Sequence, residues 1–241
     1  MKMNLTRNFL DQKFSINKKI ILEKSSTHHL LKVLRKKEGD KIILFDGKGN
    51  SCLGVITSAS RSKLELEIID VFERTLRSGV DINLGQSLIK TDPLHFIIQK
   101  ATELGIVSFS PLITDRSVVK LKMTKNRSKK WSLIARGACE QCGENWLPVI
   151  EDPMKLDKWA GITRSKLKIV LYPKADNKIS DLDYKDSVSL AIGPEGDFTK
   201  YEVDSLTEKG FIPVTIGKRI LRAETAAISA ISSVRFSAKE F

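Results

Sequence analysis

The chain has 241 residues with 41% hydrophobic content, enough for one large core or two modest ones, so a disordered polyanion-binding tail is excluded as the whole molecule. Forty-one basic against 29 acidic residues give a net charge of +12, which favours a polyanionic partner through phosphate neutralisation. The N-terminal MKMNLTRNFLDQKF has no apolar signal region and no apolar run approaches membrane-spanning length, so a cytoplasmic protein is expected.

In chain order, the first seventy-odd residues read as a small β-rich domain. Thr27 is placed as the cap of a short helix, HHLLKVLRK, ending near Gly39. KIILFD, a GKGN turn and SCLGVITSA form a hairpin, and KLELEIID alternates as a half-buried strand should. The charged segment FERTLRSG, residues 72–79, marks a boundary, giving domains 1–73 and 74–241. Beyond it the pattern changes to longer strand and helix alternation, which predicts a mainly parallel α/β sheet. DINLGQSLI is a strand, Asp92 is placed as an N-cap before Pro93, and that helix closes on Gly105. VSFSPLIT follows as a strand.

Between Arg116 and Arg136 lie Lys120, Lys122, Lys125, Arg127, Lys129 and Lys130 with no acid among them, a block suited to nucleic-acid backbone. Arg7, Arg35 and Lys36 are further candidates for that contact. Cys139 and Cys142 form a lone CxxC without a second pair or nearby histidine. Helical spacing from Trp131 places Cys142 on a buried stripe, so packing is expected there, with neither metal nor redox chemistry.

Three apolar strands near the C-terminus each end in a suggestive loop: Leu171-Tyr172-Pro173-Lys174, then Ile192-Gly193-Pro194-Glu195-Gly196, then Ile216-Gly217 through Ile220, Leu221 and Arg222. In parallel sheets, ligands gather beyond the carboxyl ends of strands. GPEGDFT lacks the lysine of a phosphate loop and the spacing of a dinucleotide fingerprint, and Glu195 would face phosphate charge. The loop better suits a ligand without phosphates and with positive charge, a description that S-adenosylmethionine meets. Thr199-Lys200-Tyr201-Glu202 is a capping box for a helix ending at Gly210. Arginines at 219 and 222 oppose the positive end of the last helix, so an anionic partner is expected beside Arg222 and Glu224.

LYPKA, IGPEGDFT and IGKRILRAETAA, in that order, resemble the signature loops of SPOUT-class RNA methyltransferases. More narrowly, with QKATELGI, PLITDRSVVK, ACEQCG and HHLLKVLR upstream, the chain is similar to the bacterial family that methylates uracil N3 in 16S ribosomal RNA. The resemblance implies an α/β C-terminal SPOUT domain with a deep trefoil knot and a small N-terminal PUA-like β-barrel that binds RNA. It implies S-adenosylmethionine among Leu171, Pro173, Ile192 to Gly196, and Ile216 through Leu221. It also implies 16S rRNA of the small ribosomal subunit as partner and a homodimer. Arg222 would orient the uridine or offset its charge, and Glu195 or Glu224 would hold the loop or relay the proton. Another SPOUT enzyme acting on a different RNA, or a noncatalytic assembly factor, are the alternatives. One departure stands out: Asp197 occupies the second glycine of the family's usual GPEGG.

Overall fold

The computed structural model describes residues 5–60, 63–77, 79–117 and 127–240. The chain divides into two units, Met1–Arg77 with Cys139–Leu147, and Ser78–Ala138 with Pro148–Phe241.

The first unit is built on a five-stranded sheet in the order β1-β3-β4-β5-β2, with β1 Arg7–Phe9, β2 Lys19–Ile21, β3 Lys41–Phe45, β4 Ser51–Ala59 and β5 Leu64–Val71. β1 runs parallel to β3 and the remaining pairs are antiparallel. The alternation in β5 buries Leu64, Leu66 and Ile68 against Ile42, Leu44, Ile56 and Leu30, which is what period two dictates for a half-buried strand. The hairpin at 46–50 forms as expected, its glycines Gly47 and Gly49 taking positive φ.

Helix α1 spans Lys24–His28 and passes into a π-type turn at His29–Val33. Thr27 therefore does not cap it. It lies inside, buried, its hydroxyl donating to the Leu22 carbonyl, and the helix starts earlier because Thr27 is wanted in the core.

Residues 139–147 belong to this unit through contacts no local pattern signals. The Arg7 guanidinium donates to the Asn145 side chain and the Glu144 carbonyl and lies 4.9 Å from the Phe45 ring. Asn145 reaches Thr75 and Ser51, and the Trp146 indole donates to the Thr75 carbonyl at 2.9 Å.

The second unit carries a seven-stranded parallel sheet in the order β12-β10-β11-β6-β7-β8, with β9 paired to β7. Its strands are β6 Asp81–Ser87, β7 Ser108–Ile113, β8 Val149–Ile150, β9 Met154–Lys155, β10 Leu167–Leu171, β11 Ser187–Ile192 and β12 Ile212–Val214. β6 and β11 lie inside the sheet and are buried almost throughout, polar Gln86, Ser87 and Ser189 included. Among the described residues the α-helices are α2 Thr91–Glu103, α3 Arg127–Cys142, whose last turn falls in the first unit, α4 Leu156–Ile162, α5 Lys200–Glu208 and α6 Ala223–Ser237.

One layer joins α4 and α5 to Leu112, Val170 and Ala191 through Trp159, Phe198, Leu206 and Phe211. Gly85 allows this close packing, since a Cβ there would stand 2.6 Å from the Trp159 ring. Helices α2 and α6 pack on each other. The expected cap of α2 shifts upstream: Lys90 occupies the N-cap, and Asp92 sits in the first turn, where its charge still favours the helix start. The close on Gly105 forms, with φ +77.

In α3 the buried stripe is Trp131, Ala135, Ala138 and Cys139, and Cys142 is exposed, correcting the expectation for that thiol. The helix ends at Cys142 and Gly143 turns away with φ +90, so the cover stops one turn short. The Cys139 thiol donates to the Trp146 carbonyl at 3.6 Å and burial pushes its pKa up to about 12, a packing thiol.

Candidate active site

Because β12, β10 and β11 are parallel neighbours, the loops at their carboxyl ends converge. They enclose a pocket with about 580 Å³ of empty space, counting its open mouth. Its walls include Leu171, Tyr172 and Pro173 from the first loop, and Ile192, Gly193, Pro194, Glu195 and Asp197 from the second. Thr215, Ile216, Gly217, Arg219, Ile220 and Leu221 come from the third, with Ala223 and Ala226 of α6.

Every expected donor-loop residue except Gly196 and Lys218 lines this space. Gly196 instead gives its carbonyl to the Arg116 guanidinium at 2.7 Å. Arg219 lines it too, within the expected stretch Ile216 through Leu221, whose Lys218 does not; Tyr172, Asp197, Thr215, Ala223 and Ala226 line it without having been expected to. Their proximity to the three loops is the only signal that could have found them. Ile220 is 89% exposed, an apolar side chain at the mouth that a ligand would cover.

The second loop has a definite internal geometry. The Asp197 amide donates to the Pro194 carbonyl at 2.9 Å, closing a tight turn over Glu195 and Gly196. Asp197 then adopts φ +62, so the position does require the left-handed region that the family glycine adopts freely. Gly193 is needed because the loop folds back on it, leaving the Asp197 Oδ1 only 3.1 Å from where a Cβ would stand.

From beneath, the Gln86 amide donates to the Gly193 carbonyl at 3.3 Å. From the side, the capping box forms as expected. Buried Glu202 accepts from the Thr199 amide at 2.8 Å and from the Asp115 amide at 2.9 Å, tying the loop after β7 to the donor loop. Burial raises the Asp197 carboxyl above its ordinary range, with Arg116 and Lys174 pulling it back and Glu202 pushing it further.

Arg222 is the exposed N-cap of α6, and its carbonyl accepts from the Ala226 amide. Glu224 is half-buried in the first turn of that helix. Neither lines the pocket, although Leu221 and Ala223 beside them do. Glu195 is exposed at the rim, 3.5 Å from the Lys90 amide.

Of the expected RNA contacts, Arg35, Lys129 and Lys130 are exposed and Lys36 is half-exposed. Lys120 lies outside the described residues, as do Lys122 and Lys125. Arg7 turns its guanidinium into the first unit, and exposed Arg116 donates one hydrogen bond to the Gly196 carbonyl.

The site suits S-adenosylmethionine on the chemistry of its walls. Apolar Leu171, Ile192, Ile216, Ile220 and Leu221 surround a few polar groups, and the two carboxylates against one guanidinium disfavour a phosphate ligand and favour a cation.

Residues 76–235 match the model of a family described as RNA methyltransferase domain, and residues 22–69 match that of the RNA methyltransferase PUA domain. A ribosomal RNA small subunit methyltransferase E from Buchnera aphidicola of Schizaphis graminum is 35% identical over 239 residues, covering 98% of this chain and 97% of its own. A methyltransferase from Legionella pneumophila, solved in complex with bound SAM, superposes with a TM-score of 0.93 at 31% identity, covering 97% of this chain and 98% of that one. A ribosomal RNA small subunit methyltransferase E from Neisseria gonorrhoeae bound to S-adenosyl methionine gives 0.90 at 31% identity, covering 96% and 97%. The chain belongs to the ribosomal RNA small subunit methyltransferase E family.

Proposed function

We propose that this chain is an S-adenosylmethionine-dependent methyltransferase of 16S ribosomal RNA, acting on N3 of a uridine in the small subunit. The observation that carries the reading is the apolar, acid-bearing pocket at the ends of β10, β11 and β12, in a fold shared with relatives solved with SAM bound.

When bound, the donor supplies an electrophilic methyl on a sulfonium. Methylating N3 forms a nitrogen–carbon bond, breaks the sulfur–carbon bond with its electron pair going to sulfur, and releases the imino proton. The chain's part is to hold both partners in line, offset the charge that develops on the uracil and accept that proton, directly or through water. Arg222, exposed at the start of α6 beside Leu221 and Ala223, is assigned the charge-offsetting and orienting role. Glu195 at the rim and Glu224 in the first turn of α6 are the candidates for holding the loop and relaying the proton.

The exposed cations Arg35, Lys129 and Lys130, with half-exposed Lys36, would contact RNA backbone, with the N-terminal unit acting as an RNA-binding PUA-like barrel. A trefoil knot is consistent with the path of the chain. Thr215 hydrogen-bonds Asn177 and Ile179, so the chain after β12 is held against the loop that joins β10 to β11. A homodimer, with the small-residue face of α6 near the partner's knot, completes the reading. A cytoplasmic setting fits, and among the described residues no helix is long and apolar enough to cross a membrane.

The test offers labelled methyl donor to small ribosomal subunits, free 16S rRNA and transfer RNA, then maps the modified base. Label on N3 of a single 16S uridine is expected. Label confined to transfer RNA, or donor binding without transfer to any RNA, would replace this reading with one of its alternatives.

A further inference from the structure

We propose that Asp197 is a specificity residue that reads the positive charge of the methyl donor, so that the pocket holds S-adenosylmethionine in preference to S-adenosylhomocysteine. The inference rests on the donor-pocket reading above.

Four observations converge on this side chain. It lines the pocket. It occupies φ +62, a conformation that a glycine would adopt without cost and a side chain does not. A strained residue kept at a binding loop points to a use for the side chain itself.

The carboxylate is also fixed. Oδ1 accepts the Phe198 amide at 2.8 Å and lies over Gly193, in the space that a side chain at that position would enter, whereas Glu195 is exposed. Finally, among the described residues no ion pair reaches it. Arg116, whose Nη1 donates to the Gly196 carbonyl, and Lys174 act on it only from beyond ion-pair distance.

A half-buried carboxylate with one oxygen outside any hydrogen bond, and only distant cations offsetting its charge, has room for a closer positive partner. A bound cation supplies one. S-adenosylmethionine and S-adenosylhomocysteine share their adenosine, amino and carboxylate groups and differ by the methyl and its sulfonium charge. A fixed carboxylate therefore stabilises the first and adds nothing comparable for the second. The loss of that charge on methyl transfer then helps the product leave. Arg219, also on the pocket wall, would meet the carboxylate that both ligands carry and so does not discriminate.

Calorimetric titration of both ligands into the wild type, Asp197→Asn and Asp197→Gly tests this. Asparagine keeps the left-handed backbone and the acceptor for Phe198, and glycine relaxes the backbone, so both are built to fold. Each variant should lose about tenfold in S-adenosylmethionine affinity while S-adenosylhomocysteine stays within about twofold. Equal losses for both ligands in Asp197→Asn would show a purely loop-shaping role and overturn the proposal, as would an unchanged ratio. A wild type that binds neither ligand would remove the donor-pocket reading, and the inference with it. A wild type that binds the donor with variants of unchanged ratio would remove the inference alone.

Discussion

The two ends of helix α6 carry arginines with opposite fates. At the C-terminal end Arg235 is buried and fully engaged: its guanidinium donates to the carbonyls of Leu104 at 3.0 Å, Gly105 at 2.5 Å and Val80 at 2.8 Å, and pairs with Glu240. Those first two carbonyls close α2, so Arg235 caps a neighbouring helix end where positive charge is favoured. At the N-terminal end Arg222 is exposed at a helix start, the end where positive charge is not favoured, beside a pocket. One end uses its cation to fix the fold; the other holds a cation that the fold does not need. Charges that the protein itself leaves uncompensated are the ones available to a ligand.

Removing the fixed end should have the largest effect on stability. Arg235→Met strips three carbonyls and leaves Glu240, only 20% exposed, with the Val80 amide but without its cation. A loss of about 3 kcal/mol in urea unfolding is expected, and a loss under about 1 kcal/mol would mean that this end of α6 is not held as described.

Next comes the frame of the donor loop. Glu202→Ala frees the Thr199 and Asp115 amides and should cost about 2 kcal/mol while weakening donor binding. Unchanged donor affinity would separate the frame from the pocket.

On the exposed side, reversing Lys129 and Lys130 to glutamate should leave stability within about 0.5 kcal/mol and lower the salt slope of RNA binding by about two. An unchanged slope removes them from the footprint.

The smallest effect concerns Asp197. Burial makes its folded carboxyl titrate above the ordinary aspartate range, so the fold favours the protonated form. That contribution is complete below the unfolded value and is lost as pH rises through the folded one. Arg116 and Lys174 lessen the shift and Glu202 enlarges it. The pH dependence of unfolding should therefore differ between wild type and Asp197→Asn only in that acidic window. Coincident curves would contradict the raised value.

What was legible beforehand was local. The hairpin at 41–59, the alternation in β5, the capping box at Thr199 and the succession of loops after β10, β11 and β12 all depend on neighbours in the chain. What was hidden depends on partners far away. Thr27 reads as a cap until the core claims it, and Cys142 follows the helical stripe until Gly143 ends the helix. Arg7 and Arg116 read as phosphate contacts, and only the fold brings Asn145 to one and Gly196 to the other. A charge run shows how many cations exist, and the packed structure shows which of them already have acceptors.

The contrast between the two ends of α6 is tested most directly at its exposed one. Arg222→Ala should bind S-adenosylmethionine with wild-type affinity and unfold with wild-type stability, yet transfer methyl to small-subunit RNA about 100-fold more slowly under single-turnover conditions. Full transfer by a variant that retains donor binding would contradict the role assigned to that arginine.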